Sequence, residues 1–263
     1  MTAVRQLAWR ATYELLAGRV RKPEWAFMNY GYAPAPDASL DLVLDPADEA
    51  DRLCIQLYAA TLADVDVPGR DVLEVGSGRG GGPSFVHRYL HPRTTTGLDF
   101  SATAVALSTR HRAAPGLRFV RGDAQSMPFD DASFDVVVNV ESSHCYASMD
   151  AFLGEVRRVL RPGGVLAFAD LRDRGDVAEL HRRLAGCGLT LVRERDITAG
   201  VLRALSLDND RKLALMDAWI PRRFHRVFRP FAGIEGTRNY VGLGNGDLRY
   251  VQAMLMKPEV SAV

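Results

Sequence analysis

Two hydrophobic periods alternate along this chain and divide it into strands and helices. Val72-Leu73-Glu74-Val75 is a short, mostly apolar run ending in a glycine-rich turn, which fits a strand covered on both faces. The chain carries similar runs at Thr94-Thr95-Thr96-Gly97-Leu98-Asp99, Leu117-Arg118-Phe119-Val120-Arg121, Phe134 to Val140 and Val165 to Ala169. An amphipathic helix over 149–160 lies between the last two and is stopped by Pro162 and the Gly163-Gly164 pair. From Asp71 to about Leu171 the alternation predicts a parallel sheet with a helix after each strand. A helix over 175–186, a strand over 189–196, a largely helical stretch over 198–243 and a last strand over 248–256 follow. Ahead of the first strand stand a helical pattern over 3–17, an aromatic cluster from Trp25 to Tyr32, and a Pro/Asp/Ala-rich stretch to Asp48. A helix near 49–63 completes that region. The expected division is an N-terminal helical lid (1–68), a core (69–197), a helical cap insertion (198–243) and a last core strand with its tail (244–263).

The turn after the first strand, Gly76-Ser77-Gly78-Arg79-Gly80-Gly81-Gly82, lets a ligand approach the backbone without a Cβ in the way. A helix is expected to start near Pro83, whose missing N–H costs nothing in a first turn. Gly76-x-Gly78-x-x-Gly81 also satisfies the dinucleotide fingerprint, so the glycines alone do not name the ligand. Glu74 separates the alternatives. A carboxylate at the mouth of the loop would repel a pyrophosphate, whereas it attracts the ammonium and sulfonium of S-adenosylmethionine. Glu74 could instead cap a backbone amide or pair with an Arg. Asp99, at the end of the second strand, has the position of a ribose-binding acid, a feature shared by NAD and S-adenosylmethionine sites; the competing role is a helix cap near Ser101. Asp123, in Gly122-Asp123-Ala124, can accept from an adenine amino group, with Met127 or Phe129 against the ring, or can be a plain turn residue.

Glu74-x-Gly76-x-Gly78-x-Gly80, Asp99, Gly122-Asp123-Ala124 and Leu160-Arg161-Pro162-Gly163-Gly164 stand in the order and spacing of a known family. Over residues 50–170 the chain resembles the class I S-adenosylmethionine-dependent methyltransferases. A narrower resemblance, to mycobacterial phthiotriolone dimycocerosate methyltransferases and to antibiotic sugar O-methyltransferases, rests on several further stretches. These are His91-Pro92, Phe119 to Ala124, Asn139-Val140-Glu141-Ser142-Ser143-His144-Cys145-Tyr146, Ala169-Asp170-Leu171-Arg172 and Glu235-Gly236-Thr237. The resemblance implies a Rossmann-like, doubly wound, seven-stranded and mostly parallel α/β sheet, with the last strand antiparallel. It implies cofactor contacts from Glu74, Gly76, Ser77, Gly78, Gly80, Asp99, Phe100, Asp123, Ala124, Asn139 and Tyr30, and acceptor contacts from Tyr32, Glu141 and Tyr146. It also implies a His and Asp pair at His144 and Asp170.

Composition narrows the rest. A formal net charge of +1 gives no case for nucleic acid, and an apolar share of 47% is ample for a core. The three cysteines, Cys54, Cys145 and Cys187, are widely spaced and form neither a disulfide framework nor a zinc pattern. No run is apolar enough to span a bilayer and no signal-peptide core is evident, so a cytoplasmic enzyme is expected, with a homodimer left open.

An alcohol is a poor nucleophile at neutral pH, and a base within reach helps by roughly 10²- to 10⁴-fold. His144, just past the fourth strand, is the expected base, substantially neutral at pH 7 on its reference pKa of about 6.5. Asp170, at the end of the next strand, would orient His144 or the acceptor hydroxyl. The plainer alternatives are a backbone-bonded His144 and an Asp170 that caps a helix or pairs with Arg172. A metal held by Glu141, Asp170 and Asp173 is not expected, because their spacing is loose. In the insertion, Arg222, Arg226 and Arg229 are expected on one helical face, with Phe224, Val227, Phe228 and Phe231 on the other. That pattern fits either a cap helix with a solvated basic face or a lipid contact. The expected function is O-methylation of a hydroxyl on a lipid, polyketide or glycosylated metabolite. Carbon methylation, a cyclase on the same fold and an NAD-dependent oxidoreductase are the competing readings.

Overall fold

The computed structural model describes residues 22–259, so the helical pattern over 3–17 lies outside the described residues. A seven-stranded sheet forms the centre, in the order β3-β2-β1-β4-β5-β7-β6. Its strands are β1 (Asp71–Val75), β2 (Thr94–Asp99), β3 (Leu117–Arg121), β4 (Phe134–Val140), β5 (Leu160–Asp173), β6 (Thr190–Asp196) and β7 (Leu248–Met256). Strands β3, β2, β1, β4 and β5 run parallel, and β7 runs antiparallel to both β5 and β6. The order reverses between β1 and β4, and at such a point the helices diverge and leave a crevice beyond the strands' carboxyl ends.

Helices α1 (Arg52–Leu62), α2 (Gly81–Tyr89), α3 (Ala102–Arg112), α4 (Met149–Val159) and α5 (Arg174–Gly186) flank the sheet. Helices α6 (Thr198–Trp219), α7 (His225–Phe231) and α8 (Arg238–Asn245) make up the stretch before β7. The apolar side chains fall into two large clusters. One joins Tyr30, Leu44 and Ile55 with Val72, Val138, Val201, Leu205 and Tyr250. The other joins Leu73, Val75 and Leu98 with Val137, Phe152, Leu166, Leu184 and Leu255. Adjacent β1 residues thus enter opposite clusters, which is why both faces of that strand read as apolar.

Three boundaries differ from the sequence pattern. Helix α2 begins at Gly81 rather than at Pro83, so the proline occupies the third helical position, still among the N–H groups with no partner inside a helix. Strand β5 starts at Leu160, ahead of the Pro-Gly-Gly break: Leu160 pairs with Phe134, the register then shifts, and Val165 pairs with Val136. The preceding helix ends at Val159, ahead of Pro162 and the glycines as expected, and these residues sit in that irregularity of β5. Within the expected helical lid, residues 22–48 form turns and irregular backbone. Their polar groups bond elsewhere; the Tyr32 N–H, for example, donates to the Leu53 carbonyl and the Ala33 N–H to the Gly200 carbonyl.

Candidate active site

A cavity of about 570 Å³ opens at the carboxyl ends of β1, β2 and β4. Its wall includes Gly76, Ser77, Gly78, Asp99, Phe100, Asp123 and Ala124 on one side, and Glu141, His144 and Tyr146 on the other. The loop after β1 is bent back against the end of β2, where the Gly76 and Ser77 N–H groups both donate to the Leu98 carbonyl. Asp99 clamps it there: Oδ2 accepts from the Gly78 N–H at 2.7 Å and Oδ1 accepts from the Ser101 N–H at 2.8 Å. Ser101, not Asp99, caps α3, its hydroxyl accepting from the Ala104 N–H. Phe100 is 41% exposed on the wall and offers an aromatic face. Met127 and Phe129, expected against an adenine, are absent from the cavity wall: Met127 is buried in the core and Phe129 packs edge-on to Phe134.

Glu74 lies beneath the glycine loop rather than at its mouth. Its side chain enters the layer between β1 and α1, where the Tyr58 hydroxyl donates to Oε1 at 2.7 Å. Oε2 is buried with no hydrogen-bond partner among the described residues. Tyr58 and Gly82, which do line the cavity, stand in front of it. Burial above all, with help from the charge of Asp99 and against the bond from Tyr58, pushes the Glu74 carboxyl up to about 8. Folding therefore takes up a proton at Glu74 between about pH 4.5 and 8, and the stability it confers falls as pH rises through that window. Glu74→Gln is expected to stabilise the ligand-free protein at pH 8 by about 1 kcal/mol or more. The check is thermal unfolding of both proteins from pH 5 to 8.5, where the gap should widen as pH rises.

The loop after β4 is pinned by its own polar side chains. The Asn139 amide reaches the Val75 carbonyl at 2.9 Å, the Ser142 hydroxyl at 2.7 Å and the Tyr146 hydroxyl at 3.1 Å. Asn139 thereby ties β4 to the end of β1 from below the cavity, and it is not part of the cavity wall. Gly80, likewise off the wall, takes a left-handed φ of 81° at the N-cap of α2 against Phe119 and Ser108. After Ser142 a single 3₁₀ turn, Ser143–Cys145, projects His144 into the wall.

His144 and Asp170 are in direct contact. His144 Nδ1 lies 2.7 Å from Asp170 Oδ1, and the His144 backbone N–H donates to Oδ2 at 2.9 Å. Asp170 is fully buried and collects further donors: the Ser143 hydroxyl at 2.5 Å, the Leu171 N–H at 2.8 Å and the Arg172 guanidinium at 3.0 Å. Burial raises its carboxyl, but His144, Arg172 and these bonds outweigh it and hold Asp170 well below the usual carboxylate range. For His144, burial pulls the imidazole down, while the charge of Asp170 and the neighbouring Cys145 carry it well above its ordinary value. The buried Asp170 carboxylate beside the ring thus favours its charged form, a shift that the reference value used in the sequence expectation does not contain.

Glu141 stands next to this pair in a left-handed conformation, φ 47°, rare for a residue with a Cβ and costing about 1 kcal/mol. Its Oε1 accepts from the Tyr30 N–H at 2.7 Å and from the Tyr250 hydroxyl at 2.8 Å. Burial, then the charge of Asp170, raises Glu141 to about 7. The Tyr30 hydroxyl in turn accepts from Asn239 at 2.7 Å, so Tyr30, through its N–H and its hydroxyl, ties the N-terminal segment to both the loop after β4 and α8. Tyr32, expected to touch the acceptor, is turned away from the cavity: its ring lies directly over Gly200 at the start of α6, where no Cβ could fit. Tyr58, Cys145, Arg172 and Asn239 are wall residues that motif reading does not single out as ligand contacts. Only Arg172 carried a signal, as a partner for Asp170. Among the described residues no group of three His, Cys, Asp or Glu could hold a metal ion, and no helix is long and apolar enough to cross a membrane.

The residues present fit S-adenosylmethionine: a glycine cradle and a clamped Asp99 line one cavity, and the unpartnered carboxylate oxygen of Glu74 lies buried behind its wall. Comparison with known proteins gives the same class. A methyltransferase domain model matches residues 73–168. The phthiotriol/phenolphthiotriol dimycocerosates methyltransferase of Mycobacterium tuberculosis is 41% identical over 249 residues, covering 95% of this chain and 92% of that protein. The fatty-acid O-methyltransferase of Mycolicibacterium smegmatis is 42% identical over 255 residues, covering 97% and 92%. Among solved structures, the [4+2]-cyclase SpnF aligns with a TM-score of 0.72 at 20% identity, covering 95% of this chain and 96% of that one. The geranyl diphosphate C-methyltransferase of Streptomyces coelicolor aligns at 0.64 and 18% identity, covering 93% and 98%. At such identities the structures show a shared fold and nothing about the reaction. The fold and site thus define an S-adenosylmethionine-dependent methyltransferase. Within that class, the chain belongs to the family of the phthiotriol/phenolphthiotriol dimycocerosates methyltransferases, which act on lipid-related substrates.

Proposed function

We propose that this enzyme methylates an oxygen of an apolar, lipid-derived acceptor, with S-adenosylmethionine as donor, His144 as proton acceptor and Asp170 as its positioning partner. The observation that carries the reading is the 2.7 Å contact between His144 Nδ1 and Asp170 in a cavity shared with the glycine loop. That contact uses Nδ1, so Nε2 is the ring nitrogen assigned to meet the acceptor, on a side chain 28% exposed. When bound, the sulfonium supplies an activated methyl group. The chain's own residues do the remainder. Asp170, immobilised by its buried donors, fixes the tautomer and angle of the ring and stabilises the imidazolium formed when the acceptor proton arrives. Asp99 and Asp123 offer acceptors to the nucleoside, and Phe100 and Ala124 offer apolar contact. Glu74 stands behind Tyr58, and a cationic ligand in the cavity would favour its ionised form over the protonated one that burial favours. The likeness at about 40% identity to the phthiotriol/phenolphthiotriol dimycocerosates methyltransferase and to the fatty-acid O-methyltransferase supports an oxygen acceptor.

One observation favours a second reading, in which the oxygen is a carboxylate. The Asp170 carboxylate against Nδ1 favours a charged ring, which donates rather than accepts, and an acidic acceptor arrives already deprotonated. Incubation of the enzyme with lipid extracts and isotopically labelled S-adenosylmethionine separates the possibilities. A label released by mild alkali marks an ester, an alkali-stable methoxy carbon marks an ether, and a label on carbon would refute oxygen transfer. A companion prediction concerns the donor. Asp99→Ala is expected to weaken S-adenosylmethionine binding by roughly 1–3 kcal/mol, because the ribose hydroxyls and the Gly78 N–H both lose an acceptor. Titration calorimetry checks it, and equal affinity would remove Asp99 from the site.

A further inference from the structure

The surface beside the cavity mouth is basic and carries an apolar side chain where a solvated helix would carry a polar one. Between Asp217 and Glu235 the chain has four arginines, one histidine and no acidic residue. Arg222, Arg223, Arg226 and Arg229 are all exposed, and among the described residues none forms an ion pair. The sequence pattern placed Val227 with the phenylalanines, but the structure puts it on the arginine side. Phe228 is buried against Trp25 and packs with Met216, Ile220 and Ile234, while Val227 is 58% exposed between Arg226 and Arg229. Residues 221–232 contain no Ser, Thr, Asn, Gln, Asp or Glu at all. The same segment ends in Phe231, which lines the cavity with Arg238 and Asn239.

We infer that residues 222–230 dock the enzyme onto an anionic lipid surface, with the cavity mouth turned toward the acyl layer. Arginine with exposed Val and Pro is the make-up of a segment that lies in a membrane interface: the guanidinium groups meet lipid phosphates and the apolar side chains enter the headgroup boundary. An acidic protein would satisfy the charge, but it gives Val227 no apolar counterpart. The choice of partner rests on the proposed lipid-derived acceptor, since docking brings the mouth to where such a molecule resides. Vesicle binding needs neither acceptor nor turnover, so it can fail while the proposed reaction stands.

Flotation of the full chain with vesicles tests this directly. Phosphatidylcholine vesicles containing about one third phosphatidylglycerol should carry the protein at low salt, pure phosphatidylcholine should not, and added salt should release it. The triple variant Arg222→Gln/Arg226→Gln/Arg229→Gln should lose about 10²-fold in vesicle affinity. Val227→Asp should bind more weakly than the native chain. Both variants should keep native S-adenosylmethionine affinity, which establishes that they fold. Equal binding to neutral and anionic vesicles, binding to neither, or undiminished binding by the triple variant each overturns the inference. Capture by a polyanionic protein with vesicles ignored overturns it as well.

Discussion

His144→Ala is expected to lower kcat by about 10²-fold or more while leaving S-adenosylmethionine affinity nearly unchanged. The asymmetry follows from position. His144 lies on the β4 side of the cavity, whereas Gly78, Asp99 and Asp123, the groups placed to hold a nucleoside, come from the loop after β1, the end of β2 and the loop after β3. Single-turnover kinetics with calorimetry on the same variant checks both halves, and unchanged turnover would remove His144 from the mechanism. The pH profile gives an independent readout with a definite sign. If His144 must accept a proton, kcat/KM rises with pH as the imidazolium empties. Its midpoint then lies above the ordinary value of about 6.5, because Asp170 stabilises the charged ring. Asp170→Asn removes that charge, so the midpoint should move down in pH even as the maximal rate falls. A carboxylate acceptor predicts a different curve, with activity highest while His144 is still charged and falling as pH passes its pKa.

The parts of this picture legible in the chain are those in which one residue type does one physical job. Strands β1 and β4 were readable because burial on both faces leaves mostly apolar runs, and β2 and β3 as short runs of β-branched and apolar residues. His144 and Asp170 were readable as a pair because the parallel neighbours β4 and β5 bring their carboxyl ends to one edge. Depth and facing were not readable. A strand covered on both sides carries no polar mark to show which face Glu74 enters, so its burial under Tyr58 had no sequence signal. Tyr58 itself sits on the inner stripe of α1, indistinguishable from Ile55 or Leu62 as a core position. The protonation of His144 depends on Asp170 being dry and multiply bonded, a property of packing and not of spacing. Tyr32 was misplaced because an aromatic next to glycine serves a helix crossing as readily as a ligand, and here the small residue it needs is Gly200.

Gly76→Ala is expected to cost the site more than any single polar contact in it. Gly76 has φ 79°, where an added Cβ alone costs about 1–2 kcal/mol. The larger effect is collision. A Cβ there would strike both Cβ and Oγ of Ser142 and come within 3.1 Å of the Tyr146 hydroxyl. Ser142 has no room to yield, since its hydroxyl is held by Asn139 and bonds the Val75 carbonyl at 3.2 Å. The substitution must therefore push the loop after β1 away from the loop after β4. These two loops carry the cofactor cradle and His144 respectively, so S-adenosylmethionine affinity and turnover should fall together, affinity by about 10²-fold, with stability lower by roughly 2–4 kcal/mol. Gly69 provides the control, because it has a similar φ of 73° but nothing within 4 Å of an added Cβ. Gly69→Ala should show only the backbone penalty, about 1–2 kcal/mol in unfolding, with native cofactor binding. Calorimetry and denaturant unfolding on the two variants separate strain from collision: equal losses at both positions would mean that the contact between the β1 and β4 loops does not hold the site together.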